Sequence, residues 1–163
     1  MIVRAITLAG GLAVGAGTSQ FPEFSQQYAQ RLGGAVDALS EVVADFDTSA
    51  AAEGLSRFEA LEQMTGADFI ERRRADMERT FDRHAILTED LRLLAQAGPF
   101  IRAYHAARFT DGDVASAAWD AFQPAVPLNL TGAIFAGFGF FVGLITMRSF
   151  LAVIRWPFRR RTT

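Results

Sequence analysis

The sequence predicts an all-α membrane protein in which two transmembrane helices flank an antiparallel helical hairpin or bundle. Three observations predict it. An uncharged apolar run occupies 130–147, a shorter apolar and small-residue run opens the chain, and between them large apolar residues recur at intervals of three and four. No stretch alternates convincingly at the period of two that a strand requires.

The run "LTGAIFAGFGFFVGLITM", Leu130 to Met147, is the clearer span. At about 1.5 Å per residue it covers roughly 27 Å, close to the thickness of a hydrocarbon core. Arg148 follows and can snorkel to the interface while "SFLAVIRWPF" continues along it, so the second transmembrane helix with its interfacial extension is expected over 129–154. A basic tail, 155–163, completes the chain.

The opening "AITLAGGLAVGAG" follows a single arginine, Arg4, and also fits a short signal peptide with small residues before a cut. The apolar stretch extends from Ile2 to Phe21 if Thr18, Ser19 and Gln20 sit at the lipid boundary. That favours a retained first transmembrane helix over 2–21.

Charge sets the expected orientation. The chain has 16 basic and 18 acidic residues, and every basic residue is arginine. All 18 acidic residues fall between Glu23 and Asp120 with only 10 arginines beside them, a local net charge of −8. Arg4, Arg148, Arg155, Arg159, Arg160 and Arg161 hold the two ends. Positive charge at both ends places both termini in the cytoplasm and the acidic middle, 22–128, in the periplasm of a bacterial inner membrane. An acidic middle also excludes nucleic acid as a partner, since binding it needs concentrated positive charge. With no cysteine, neither disulfides nor thiolate metal sites are available.

Within the middle segment, Phe24, Tyr28, Leu32, Val36, Leu39, Val43 and Phe46 form one helical stripe. "DTSAAAEG" breaks the pattern, and Ser56 to Glu59, "SRFE", supplies a capping box for a short helix ending near Gly66. A long helix is expected from about Ala67 to Ala97. Its Ile70, Met77, His84 and Leu91 recur every seven residues as a coiled-coil-like seam. Gly98 and Pro99 end it, a short helix follows with Phe100, Ile101 and Tyr104, and "TDGD" at 110–113 caps another carrying Val114 and Trp119. Asp37, Glu41 and Asp45 stand four apart on one face of the first long helix. The second offers Arg72, Arg73, Arg74, Arg79 and Arg83 as partners for them, or both sets face solvent.

No residue set points to catalysis, to a cofactor or to a metal. His84 and His105 have no metal-ligand spacing, and His84 on an apolar seam reads as a hydrogen-bonded core histidine. The "DGD" at 111–113 lacks the remaining ligands of a calcium loop and reads as a helix cap. Nucleotide, nucleophile-elbow and dinucleotide motifs are absent, so the chain is not expected to be an enzyme.

The glycines carry more. "GLAVG", Gly11 to Gly15, and "GFFVG", Gly139 to Gly143, are both GxxxG, a spacing that lets helix backbones approach closely in lipid. Either the two spans of one chain meet through them or separate chains do. Phe135, Phe138, Phe140 and Phe141 face lipid or pack against small residues opposite. A pore lining is a further alternative, although neither span carries a mid-membrane ionisable residue.

Ser19-Gln20 with Pro22, Gln26-Gln27-Tyr28 through Arg31-Leu32, and Pro124 with Val126-Pro127-Leu128 resemble motifs of an uncharacterised family of short proteobacterial inner-membrane proteins, a domain of unknown function. The resemblance covers most of the chain and implies a bacterial membrane location. It supplies no activity. One motif leaves the first span and the other enters the second. In a hairpin topology, Gln20, Gln26 and Arg31 could therefore donate to the carbonyls of the extended "QPAVP", forming a structural clasp with Pro22, Tyr28, Pro124 and Pro127; the alternative is that the prolines merely turn the chain. Tyr28, Trp119 and Phe122 are expected at the headgroup level.

The expected role is a non-enzymatic structural or assembly protein. Its partners are the lipid bilayer and either copies of itself, as a homo-oligomeric scaffold, or a larger membrane complex, as an accessory subunit of a respiratory or photosynthetic assembly. The alternative is a channel or transport component formed by several chains.

Overall fold

The computed structural model describes residues 1–124 and 129–159, apart from the side chains of 156–159. Among the described residues the chain is all-helical, with no strand. In order, it forms α1 (Ile2–Ser19), α2 (Phe21–Ala52), α3 (Arg57–Gln63), α4 (Asp68–Ala95), α5 (Pro99–Tyr104), a 3-10 turn (Ala106–Arg108), α6 (Gly112–Asp120) and α7 (Leu130–Arg159). These helices divide into two compact units, one of residues 1–26 and 122–163, the other of residues 27–121. The boundaries lie a few residues inside the 22 and 128 expected from hydropathy.

The first unit holds α1 and α7, and both are long and apolar enough to cross a bilayer. Between α1 and α2 the helix is interrupted only at Gln20, whose backbone stays near helical values at φ −81° and ψ −15°. Pro22, lacking an amide donor, is expected from the sequence in the first turn of a new helix or at a kink, where "SQFPEF" leaves lipid. Pro22 does sit in the first turn of α2, and the Gln20 amide meets the carbonyls of Gly17 and Thr18 left over from α1. On the other side, Asn129 Oδ1 accepts the Gly132 amide at 2.7 Å and starts α7. That helix runs without a break through Arg148, so the span and its expected interfacial extension are one element.

The second unit is built on α2 and α4. Three contacts fix them as antiparallel: Gly33 lies beside Leu91, Ser40 bonds to His84, and the Phe46 ring meets Phe81 edge-on at 5.2 Å. Tyr28, Leu32, Val36 and Val43 on α2 are buried together with Met77, Leu87 and Leu94 on α4. Val114 and Ala118 of α6 and Leu61 of α3 complete the core. Of the expected heptad positions only Met77 is fully buried; Ile70, His84 and Leu91 are half-buried.

One boundary differs from expectation. The segment "DTSAAA" continues α2 rather than ending it, because alanines are strong helix formers and the Thr48 and Ser49 hydroxyls turn back onto the carbonyls of Ala44 and Asp45. Termination waits for Gly54, whose φ of 72° suits glycine. The Ser56 and Glu59 capping box then forms in both directions. At the far end of α4, Arg102 Nε donates to the Leu94 carbonyl at 2.9 Å, satisfying a group the helix leaves open.

Candidate functional site

Two places concentrate specific interactions, one in each unit. In the first unit α1 and α7 pack antiparallel, with Gly10 against Met147, Gly11 against Leu144 and Phe140, Gly15 against Ala136 and Phe140, and Thr18 against Gly139. Gly11, Gly15, Gly139 and Gly143 are all buried. A β-carbon added at Gly15 would lie 2.8 Å from the Ala136 carbonyl oxygen, and one at Gly143 would lie 3.0 Å from the Gly10 carbonyl oxygen. Backbone meets backbone here, so no side chain can be accommodated without moving a helix.

Gly139 has an additional part. Its missing side chain leaves room for Thr18, whose Oγ1 donates to the Phe135 carbonyl across the helix pair at 2.9 Å. The same hydroxyl lies within reach of its own helix at Val14 and Gly15, so one proton is shared among three acceptors. Sequence reasoning put Thr18 at the lipid boundary. The available signal was its position one turn beyond Gly15, in line with the glycine face.

The outward faces invert the pattern of a soluble helix pair. Leu12, Ile134, Phe138, Phe141 and Ile145 are exposed while glycines fill the interface. Of the most apolar window in each helix only 17% of residues are buried within the molecule, which argues against a protein-core helix.

Of the expected clasp residues, the Gln20 side chain donates to Ser19 Oγ at 3.0 Å, and the Pro22 carbonyl accepts from Ser25 Oγ at 2.8 Å. Gln26, Arg31 and Pro124 are exposed, and Pro127 lies outside the described residues, as do residues 160–163 of the basic tail. Phe122 meets Phe24 edge-on at 5.9 Å. Tyr28 departs from the headgroup placement: it is completely buried within the second unit, its ring stacked on Phe109 at 4.4 Å. The tyrosine occupies an inward position of the α2 stripe, so the core claims it.

In the second unit, arginines join helices to one another. Arg57 at the start of α3 grips Asp47 of α2 with two bonds, of 2.7 and 2.6 Å, and lays its guanidinium 4.6 Å from the centre of the Phe81 ring on α4. Its hydrogen bonds hold the Asp47 carboxyl below the usual carboxylate range. Arg83 of α4 pairs with Asp111 at 2.9 and 3.1 Å and reaches Asp113 at 3.3 Å. Asp111 also caps α6 by accepting the Val114 amide at 3.0 Å. Partial burial alone would raise the Asp111 carboxyl, but the Val114 amide and Arg83 outweigh it and the group lies below its ordinary value.

Of the two alternatives for the acidic face of α2 and the arginines of α4, pairing or solvation, no pair between them forms within the chain among the described residues. Arg74 pairs with Glu78, Arg79 with Asp76 and Arg83 with α6, whereas Asp37, Glu41 and Asp45 are exposed. The core faces of α2 and α4 meet through apolar side chains, which turns their charged faces away from each other.

Several polar groups lie among these apolar side chains. Ser40 Oγ lies 2.8 Å from both the Val36 carbonyl and His84 Nε2, so the hydroxyl links the α2 backbone to the imidazole of α4. Asp90, only 1% exposed, accepts from Arg108 at 3.3 Å and Thr110 at 3.2 Å. Sequence reasoning missed Asp90. Its signal was a carboxylate between Leu87 and Leu94 on the buried side of α4. Burial also pushes the Tyr28 hydroxyl upward, chiefly by desolvation. Among the described residues no group of three His, Asp or Glu gathers as metal ligands.

These features define a protein that is all-helical among the described residues, with two helices long and apolar enough to cross a bilayer and packed on each other through glycines. The chain belongs to the family described as protein of unknown function (DUF2937), which it matches over residues 2–160. No curated protein and no solved structure matches it.

Gly139→Leu is expected to force α1 from α7 at a cost of about 1–3 kcal/mol, read as a lower midpoint when SDS is titrated against a mild detergent. Phe138→Leu, on the exposed face, shifts that midpoint by less than about 0.5 kcal/mol. The Asp111 shift has a defined pH consequence. Because its folded value lies below the ordinary 3.8, its stabilisation is present above that pH and is lost as pH falls through the folded value. Thermal unfolding from pH 7 down to pH about 2 should show this loss, and Asp111→Asn should flatten the acid limb.

Proposed function

We propose that this chain is a non-enzymatic structural or assembly protein of a bacterial inner membrane. Both termini lie in the cytoplasm and the helical unit 27–121 lies in the periplasm. It acts as a homo-oligomeric scaffold or as an accessory subunit of a larger membrane complex of the respiratory or photosynthetic kind. The observation that carries this reading is the mutual burial of both GxxxG motifs within one chain. A membrane pair that satisfies itself acts as an anchor, and attachment to other proteins then falls to the second unit.

Two further features support it. Antiparallel packing brings the Arg4 end of α1 to the Arg148 and Arg155 part of α7, and the positive-inside bias favours one cytoplasmic side for both. Asp37, Glu41 and Asp45 remain exposed in a row on α2, a face that a partner bearing arginine or lysine would complement. A channel built from several chains gains no support from the pair itself, whose interface is closed by glycine backbone, Phe140, Leu144 and Met147.

Topology and assembly are tested together. A phosphatase active only in the periplasm, fused after Thr163, should be inactive, while a fluorescent protein fused there should fluoresce. The reverse pattern overturns the orientation. Since the chain has no lysine, carboxyl-directed cross-linking in native membranes is the informative chemistry. It should link Asp37, Glu41 or Asp45 to a second copy or another protein. A lone monomer, both after cross-linking and after mild detergent extraction, would contradict the assembly role.

A further inference from the structure

A cleft of about 560 Å³ lies between the N-terminal turn of α1 and the C-terminal part of α7, lined by Val3, Arg148, Leu151, Ala152 and Arg155. The four α7 residues follow the i, i+3, i+4, i+7 spacing and so share one helix face. Arg148 and Arg155 stand two turns apart, roughly 10 Å along the axis, with Leu151 and Ala152 between them. Val3 supplies an apolar wall from the opposite helix. Two permanently charged arginines around an apolar floor, on a helix pair whose outward faces are apolar, match an amphiphile whose head is anionic and whose body is apolar. Neither arginine has an ion pair among the described salt bridges, and both are exposed. Arginine also suits the task chemically, because its planar fork meets two phosphate oxygens at once.

We propose that this cleft is a binding site for an anionic phospholipid, with Arg148 and Arg155 on the phosphodiester and Val3, Leu151 and Ala152 against the first carbons of the chains. The inference rests on the membrane reading above and adds a ligand class to it. The site lies where basic pockets between membrane helices hold acidic headgroups. It would fix the depth and rotation of the helix pair against one leaflet.

The test is mass measurement of the full chain released from mild detergent after addition of one lipid at a time. Phosphatidylglycerol should be retained over phosphatidylcholine by roughly 25-fold, about fivefold for each arginine. The double substitution R148Q/R155Q should abolish that preference, whereas R92Q, which removes an equal sort of charge from the other unit, should leave it intact. Inorganic phosphate at the same concentration should not displace the lipid. Equal retention of the two lipids, survival of the preference in R148Q/R155Q, or displacement by phosphate alone would each overturn the proposal. Extraction of membranes with alkaline carbonate separates the two readings. Release of the chain defeats the anchor, while retention without a lipid preference defeats this site alone.

Discussion

Close approach of α1 and α7 is the constraint from which the rest of the first unit follows. In lipid, apolar side chains gain nothing by leaving one hydrocarbon surface for another, so two spans associate through shape and polar contacts. Glycine supplies the shape. With Gly11, Gly15, Gly139 and Gly143 at the contact, the backbones come near enough for Thr18 to reach the Phe135 carbonyl on the facing helix. That bond exists because Gly139 has no side chain to cover the carbonyl. Shape and hydrogen bonding are therefore one feature, and a substitution at Gly139 removes both.

The second unit solves the opposite problem, since it hides its large residues and shows its charges. Its order comes from a compact apolar contact between α2 and α4 and from arginines that reach between elements. Arg57 ties α2, α3 and α4 together through one carboxylate and one ring, and Arg83 joins α4 to the first turn of α6. Bidentate geometry matters more than the number of pairs, because exposed single contacts stabilise by only about 0–1 kcal/mol. Ser40 with His84, and Asp90 with Arg108 and Thr110, are polar exceptions inside the apolar contact, and each has its partners.

Periodic features were legible from the sequence. The uncharged run at 130–147, the stripe from Tyr28 to Phe46, the capping box at Ser56 and the Asp111 cap depend on neighbours close in the chain, and each forms where the residues indicate. Features that depend on distant partners were not legible. Whether the two glycine motifs face each other is a question of tertiary register, and sequence left it open. Tyr28 could be assigned to a surface because its hydroxyl suits one, yet its stripe position puts it against Phe109. The arginines of α4 were numerous enough to suggest partners on α2, but the helix phase that buries Met77, Leu87 and Leu94 points them elsewhere. Asp90 looked like one more charge on a charged helix. Only the packed structure shows it buried.

The proposed anchoring, orientation and assembly role lean on the two apolar helices being neighbours within a single chain. Absence of native cysteine makes that directly measurable. An added β-carbon at Gly10 would sit 3.2 Å from that of Met147, a few tenths of an ångström inside the roughly 3.5–4.5 Å a disulfide spans, so a small outward shift of the helices admits the bond. Oxidising the double variant G10C/M147C in native membranes should give a cross-linked monomer, formed in high yield and independent of expression level. Disulfide-linked dimers, or no cross-link at all, would show that the helices do not pair within the chain.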